Sequence, residues 1–266
     1  MPVQKRFTAL VMAGSRASGD PLAAASGVSD KAFVPVDGVP MLARVVTALR
    51  AAESVERIAI VGLDPAVARA GPGLARFDWG QLDLVRGAET PAASASAALA
   101  ALGLVPPVLI TTADHPLLTA ATVDEFCAAS ASGGADATFG VASGDRVAAA
   151  FPGIRRTVHR FRDERICGCN LFALLTDAGC QAPLLWRQVE SYRKRPWRML
   201  ALLGVPVLMR FLLGRLSLGD VTRVIESRFG LRARPIALSD PAAGFDVDTL
   251  QQRDVAERYL RRQRAA

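Results

Sequence analysis

Two cationic side chains near the start of the chain are placed to contact phosphate groups. An apolar run over residues 8–12 predicts a buried strand, and three small residues, Ala-Gly-Ser, follow it directly. Small residues let the backbone approach a ligand and offer its N–H groups to anions. Arg16 comes next and Lys31 precedes a second apolar run, so both could bind phosphate oxygens. The alternative is an ordinary strand–turn–helix entry that carries two surface cations.

Two carboxylates that are far apart in the sequence could together hold a divalent cation. Asp114 follows a β-rich run, and Pro116 prevents that strand from continuing. Asp246 and Asp248 precede the predicted final helix and would point the same way if their segment is extended. Mg²⁺ prefers oxygen ligands and often takes one or two carboxylates beside substrate phosphates. Alternatively, Asp114 starts a turn and Asp248 caps the last helix.

Apolar runs alternate with helical patterns through the first half of the chain. This alternation predicts an α/β fold, a three-layer Rossmann-like and mostly parallel sheet with helices on both faces. Ligands bind such sheets beyond the carboxyl ends of the strands, where Asp114 is expected to lie. The predicted strands are 8–12, 57–61, 81–85, 108–112 and 135–141, and the predicted helices are 41–52, 90–102 and 119–130, the last with Thr119 as its N-cap.

The second half is less regular. Residues 146–151 and 157–161 predict a hairpin, residues 170–173 a strand edge, residues 232–236 a last strand and residues 250–262 a final helix. We expect one domain over 1–266, with a helical insertion at 180–220.

Cysteine usage indicates a cytoplasmic protein. The apolar run behind Lys5 and Arg6 is too short for a secretory signal. The cysteines lack the spacing of a zinc site and are expected to be reduced; they are Cys127, Cys167, Cys169 and Cys180.

Most of the net charge of +7 is concentrated in one stretch that contains no acidic residue. No aromatic-interleaved surface accompanies it, which argues against a nucleic-acid partner. The six basic residues of this stretch, 193–218, are Arg193, Lys194, Arg195, Arg198, Arg210 and Arg215.

The same stretch contains an apolar run over 199–209 that is shorter than the roughly 20 residues needed to span a bilayer. Gly204-Val205-Pro206 is expected to break it into two short helices. Trp197 beside the basic residues suits an anionic membrane surface. A helical pair that packs on the sheet or in a homodimer interface is the alternative.

Three segments, in this order along the chain, resemble nucleotidyltransferases related to molybdenum-cofactor guanylyltransferase and to sugar- and polyol-phosphate cytidylyltransferases. The first is the glycine-containing loop with Arg16 and the run from Lys31 to Leu42, which contains Gly-Val-Pro-Met-Leu. The second is Leu109–Pro116, and the third is Asp246-Val247-Asp248-Thr249. The resemblance implies a nucleotide-diphospho-sugar transferase type of fold.

The resemblance also implies Mg²⁺-dependent transfer of a nucleotidyl group from an NTP to a phosphorylated small molecule or lipid headgroup. CTP is favoured, with GTP next. Arg16, Lys31 and Asp114 would be catalytic, Asp114 and Asp248 would hold Mg²⁺, and Asn170 would contact the acceptor. The implied nucleotide-binding residues are Met12, Ala13, Gly14, Ser15, Gly87 and Ser94.

A second function class stays open, because Ser15 stands where many members have a second glycine. The chain could be a catalytically silent relative that binds a nucleotide or acts as a membrane-associated partner protein. If it is an enzyme with a lipid-related acceptor, we expect it in the cytoplasm, at the inner face of the membrane.

Overall fold

The computed structural model describes residues 6–14, 19–71, 81–154, 156–186 and 204–265. The strands in these ranges are β1 (Phe7–Met12), β2 (Pro35–Val36), β3 (Val39–Pro40), β4 (Val55–Val61), β5 (Leu82–Val85), β6 (Val108–Thr112), β7 (Ala137–Ser143), β8 (His159–Arg160), β9 (Arg165–Leu174) and β10 (Ala233–Ala237). The helices are α1 (Pro21–Ala25), α2 (Met41–Ala51), α3 (Pro65–Ala70), α4 (Pro91–Ala101), α5 (Ala120–Ala131), α6 (Gly144–Ala150), α7 (Val205–Leu212), α8 (Leu218–Phe229) and α9 (Leu250–Ala265).

The main sheet has the strand order β10-β7-β9-β6-β1-β4-β5, and β8 pairs with the start of β9. The sheet is parallel except at β9, which runs antiparallel to both β6 and β7. After β1 the chain builds β4 and β5 on one side and then returns to place β6 on the other. This reversal creates a crevice at the carboxyl ends of β1 and β6, where ligands bind in open α/β sheets.

Central strands are buried because helices cover both faces of the sheet. Ala9 and Val11 of β1 pack in one apolar layer, whereas Leu10 packs in the other. Alternate side chains of β1 therefore point to opposite faces of the sheet and pack in two separate apolar layers. Residues of α2 recur with helical spacing on its buried side, namely Leu42, Val45, Val46 and Leu49. The predicted mostly parallel α/β fold is confirmed.

Most predicted elements are confirmed with ends shifted by one or two residues. The Thr119 hydroxyl accepts a hydrogen bond from the Thr122 backbone N–H and caps α5 as expected. Pro206 lies in the first turn of α7, a position that proline favours. The other helix predicted in this insertion lies outside the described residues.

Two predictions of local structure were wrong. Residues 146–151 lie largely in α6, because the Ser143 hydroxyl caps its first turn and the following alanines favour helix. Residues 170–173 are not at a strand edge. They lie inside β9, which pairs with a strand on each side. Segment 157–161, which contains β8, therefore forms its hairpin with the start of β9 and not with 146–151 as predicted.

A buried carboxylate joins the ends of three strands. Asp136, just before β7, accepts two hydrogen bonds at 2.9 Å from the Arg232 guanidinium, one on each carboxylate oxygen, and another at 2.9 Å from the Thr176 hydroxyl. Asp136 is 4% exposed. The hydrogen bonds from Arg232 hold the pKa of Asp136 well below its usual value, despite the opposing effect of burial.

We expect Asp136→Asn to lower the free energy of unfolding by about 1–3 kcal/mol at pH 7, because the Arg232 guanidinium and the Thr176 hydroxyl lose their charged acceptor. The native carboxylate titrates below its unfolded pKa of about 3.9, so the difference between variant and wild type should shrink as the pH falls below that value. Urea unfolding at several pH values measures this. Asp145→Asn, which removes an exposed ion pair with Arg165, is the control and should change little. An undiminished difference at pH 2 would contradict the assignment.

Candidate active site

One lysine joins the two carboxylates that were predicted to share a site. Lys31 opens a short 3-10 turn, Asp114 lies just beyond β6, and Asp248 lies just before α9. The Lys31 ammonium nitrogen lies 2.6 Å from Asp114 Oδ2 and 2.5 Å from Asp248 Oδ1. The fold therefore brings together Lys31, Asp114 and Asp248 at the carboxyl edge of the sheet.

Burial and charge act against each other at this ion pair. Burial alone would raise the pKa of Asp114 and lower that of Lys31. The attraction and hydrogen bond between them outweigh burial, so the pKa of Asp114 is lowered and that of Lys31 is raised. Both groups are therefore charged at neutral pH. Asp114 Oδ1 is buried and has no hydrogen-bond partner of good geometry, although the neighbouring Thr112 hydroxyl also helps to lower the pKa of Asp114.

Neither carboxylate caps a helix: Asp114 lies in the turn that follows β6, and the alternative interpretation of Asp248 as the cap of the last helix does not hold. The α9 helix begins with a different arrangement, in which Gln252 accepts hydrogen bonds from the Asp248 and Thr249 N–H groups and donates its own N–H to the Thr249 hydroxyl. This is a capping box. The α5 helix is capped by Thr119. The carboxylates of Asp114 and Asp248 are thus left to contact Lys31.

The loop before Asp248 is held by a largely buried arginine that the sequence analysis missed. Arg156 pairs with the Asp246 carboxylate and donates to the backbone carbonyls of Gly244, at 2.7 Å, and Asp246, at 2.9 Å. Its side chain is only 11% exposed. The Val247 N–H also donates to the Asp114 carbonyl at 2.9 Å. These bonds fix the loop against the end of β6.

Asn170 and His115 complete this side of the site. Asn170 adopts a left-handed backbone conformation (φ 51°) within β9, and its amide donates to Asp246 Oδ2 at 3.1 Å. His115 is fully buried, and its Nε2 donates to the Ala242 carbonyl at 3.3 Å. Burial lowers the pKa of His115, so its imidazole is neutral. Asp246 therefore contacts Arg156 and Asn170, whereas Asp248 contacts Lys31.

Three glycines from neighbouring strands meet on the other side of the crevice. They are Gly14 after β1, Gly62 after β4 and Gly87 after β5. A Cβ on Gly62 would lie 2.5 Å from the Gly14 nitrogen, and one on Gly87 would lie 2.9 Å from the Gly62 Cα. Gly62 also has a φ of 106°, which disfavours other residues. Side chains are excluded here, so a ligand could approach the backbone.

The family model of the MobA-like NTP transferase domain matches residues 9–210. The chain belongs to this family. It is accordingly a nucleotidyltransferase, and the predicted nucleotide-diphospho-sugar transferase type of fold is confirmed. None of the curated proteins compared with the chain matches it.

Solved structures agree with this assignment. A hypothetical transferase from Thermus thermophilus is 31% identical, with a TM-score of 0.75, and the alignment covers 93% of this chain and 99% of that one. The 4-diphosphocytidyl-2C-methyl-D-erythritol synthase of Anaerococcus prevotii is 13% identical, with a TM-score of 0.53, and the alignment covers 97% and 96% of the two chains. The second likeness shows the shared fold.

Met12 and Ala13, which were predicted to bind the nucleotide, lie directly before Gly14 at the end of β1. Met12 ends β1 and accepts a hydrogen bond from the Ala113 N–H, while the Ala13 N–H donates to the Val61 carbonyl. These bonds join the ends of β1, β4 and β6. Ser15 and Arg16, both predicted site residues, lie outside the described residues.

Ser94 is buried, and its hydroxyl is engaged by the backbone of the loop that follows β5. It accepts a hydrogen bond from the Ala88 N–H at 2.8 Å. Gly87 lies close to this hydroxyl: a Cβ on Gly87 would be 3.5 Å from the Ser94 oxygen. Ser94 therefore shapes the loop that was predicted to contact the base.

The part of the chain that the structure describes lacks the features of several other kinds of site. It contains no cluster of three or more side chains of the kind that hold metals, and its cysteines form no disulfide. None of its helices combines the length and the apolar character needed to cross a membrane.

We expect Gly62→Ala to lower the free energy of unfolding by about 2–5 kcal/mol, because the added methyl group meets the Gly14 backbone at a positive φ. Gly103→Ala is the matched control, since Gly103 also has a positive φ (57°) but nothing lies within 4 Å of its Cβ position. Chemical denaturation of both variants measures the difference. Equal losses would show that the close approach of Gly14 and Gly62 is unimportant.

Proposed function

We propose that this nucleotidyltransferase joins an NTP, with CTP favoured and GTP next, to a phosphorylated small molecule or lipid headgroup precursor and releases pyrophosphate. The observation that carries the proposal is the meeting of Asp114, Asp248 and Lys31 beside the glycine edge of the sheet. A cation-binding carboxylate pair next to an open backbone edge suits a metal–triphosphate substrate.

The chemistry needs little from the protein beyond positioning and charge. An oxygen of the acceptor phosphate forms a bond to the α-phosphorus, the bond from that phosphorus to the bridging oxygen breaks, and pyrophosphate leaves with the electron pair. A phosphate monoester is largely ionised at pH 7, so no general base is required. Holding the two phosphates in line and neutralising their charge would supply the rate enhancement.

Particular residues fit these tasks. Asp114 and Asp248 would hold Mg²⁺, and the unpartnered Asp114 Oδ1 supports this assignment. A divalent cation bound there would supply polarisation of the phosphoryl oxygens and neutralisation of their charge. Lys31 and Arg16 would contact the triphosphate, together with the backbone N–H of Gly14.

The preferences for base and acceptor rest on resemblance. The loop and helix start from Gly87 to Ser94 resemble the base-contacting segment of cytidylyltransferases. The structural neighbour from Anaerococcus prevotii is named for a diphosphocytidyl product, which agrees with a preference for CTP. Asn170, beside the carboxylates, would contact the acceptor.

Pyrophosphate release from the four NTPs, each with Mg²⁺ and a panel of phosphorylated polyols, sugars and lipids, tests the proposal. We expect release with CTP, and an Asp114→Asn variant should lose more than ~10²-fold in turnover, because it loses a preorganised charge. Asp83→Asn, which breaks a surface pair with Arg57, is the control and should retain activity. A catalytically silent relative would release no pyrophosphate with any NTP, and normal turnover of Asp114→Asn would refute the metal assignment.

We further propose that the acceptor is met at an anionic membrane surface, through α7 and the turn after it. This segment exposes Val205 (70%) and Leu212 (66%). It also exposes Met209, Phe211 and Leu213. Arg215 follows it on the surface. The backbone N–H of Arg162, in a neighbouring hairpin that also exposes Asp163 and Glu164, donates to the Leu216 carbonyl. Apolar side chains flanked by cations are typical of proteins that lie on anionic membranes.

Sedimentation with vesicles tests this surface. We expect the wild-type protein to bind anionic vesicles at low salt, more weakly at high salt, and a Leu212→Asp/Leu213→Asp variant to bind at least tenfold less while keeping its NTP affinity. Val105→Asp is the matched control, because Val105 is equally apolar and 74% exposed but lies before β6, at the opposite edge of the sheet. Failure of the wild-type protein to bind would refute the membrane proposal. A dimer that the double variant dissociates would show that this surface is an interface between two copies.

A further inference from the structure

We infer that Lys31 is an exchangeable counter-ion, which holds Asp114 and Asp248 together until a divalent cation and a nucleotide bind together and displace it. This inference rests on the proposed function, because it assigns both partners of the exchange to that site. It makes Lys31 a positioning residue for the carboxylates in one state and a ligand of the triphosphate in the other.

The geometry shows a cation already placed between the two carboxylates. The Lys31 ammonium lies within 2.6 Å of one oxygen of each aspartate. A divalent cation shared by the same two side chains would meet this positive charge at close range. The ammonium also leaves Asp114 Oδ1 without a hydrogen bond, so it satisfies the pair only in part. Lys31 and a bound metal therefore compete for the aspartates.

The local structure allows the ammonium to move while the backbone stays in place. The turn that begins at Lys31 is capped by the Asp30 carboxylate, which accepts from the Ala32 N–H, and its next residues, Ala32 and Phe33, are buried. Lysine carries its charge on a flexible four-carbon stem with three donors. The ammonium can therefore leave the carboxylates without unfolding the turn.

A nucleotide supplies the new partner that the displaced lysine needs. A triphosphate offers several anionic oxygens, so Lys31 keeps a counter-charge when it leaves the aspartates. Metal and nucleotide should consequently strengthen each other's binding, and by linkage the coupling is the same in both directions. A metal ion that arrives alone has to displace Lys31 with no such compensation, and it should bind weakly.

The experiment is a titration with Mn²⁺ alone, followed by the signal of free Mn²⁺ in electron paramagnetic resonance, on the full chain without nucleotide. We expect Lys31→Met to bind Mn²⁺ at least fivefold more tightly than the wild-type protein, in the range of ordinary coupling between sites. The same variant should bind CTP more weakly in the presence of Mn²⁺. Arg57→Met removes one positive charge from a surface pair with Asp83 and should leave Mn²⁺ affinity unchanged.

Two measurements guard against a merely structural effect. Mn²⁺ should raise the melting temperature of Lys31→Met more than that of the wild-type protein, because the metal replaces the missing counter-ion. Adding Asp248→Asn to Lys31→Met should abolish the gain in Mn²⁺ affinity.

Tight Mn²⁺ binding by the wild-type protein without nucleotide would overturn the inference. Equal or weaker binding by Lys31→Met, or a variant that stays unfolded with saturating Mn²⁺, would do the same. These results do not depend on turnover, so failure of the proposed transfer reaction would appear separately, as an absence of pyrophosphate release.

Discussion

The site depends on holding two carboxylates close together against their mutual repulsion. Asp114 and Asp248 are separated by most of the second half of the chain, and each is an anion in a partly buried crevice. Such a pair repels unless a cation lies between the carboxylates or one of them takes up a proton. In this structure the cation is the Lys31 ammonium, which is supplied by a turn near the start of the chain.

Contacts on both sides of β6 hold the two carboxylates in place and keep the crevice beside them open. On one side, Arg156 and the backbone bond from Val247 to Asp114 hold the loop that carries Asp248. On the other side, the glycines after β1, β4 and β5 pack backbone against backbone and keep side chains away from the crevice. The charged and the open parts of the site therefore lie next to each other, as a metal-bound triphosphate would require.

The antiparallel strand β9 connects the candidate active site to the helical insertion that contains α7. Asn170 lies in its middle, where the positive φ turns the amide toward Asp246. The start of β9 pairs with β8 in a hairpin, and this hairpin contacts the turn between α7 and α8. Strand β9 therefore carries Asn170 in its middle and, through its hairpin with β8, contacts the turn that follows the exposed apolar helix. This connection relates the proposed acceptor site to the proposed membrane surface.

Local pattern was sufficient to predict β1, α2, β6 and the positions of Asp114 and Asp248, because alternation, capping residues and strand ends act over a few residues. Local pattern could not show that Lys31 lies between the two aspartates, or that Arg156 holds the loop that carries Asp248, since these contacts join residues far apart in the sequence. Gly62 directly follows an apolar run, and this pattern could have indicated a glycine at the end of a strand. Its contact with Gly14, however, exists only because β4 lies beside β1 in the sheet. The α6 helix was missed because the Ser143 cap and the alanines outweigh a weak strand pattern. The sequence by itself thus determined which residues reach the edge of the sheet. The tertiary structure decided which of them meet, because register and charge pairing across the sheet depend on every strand at once.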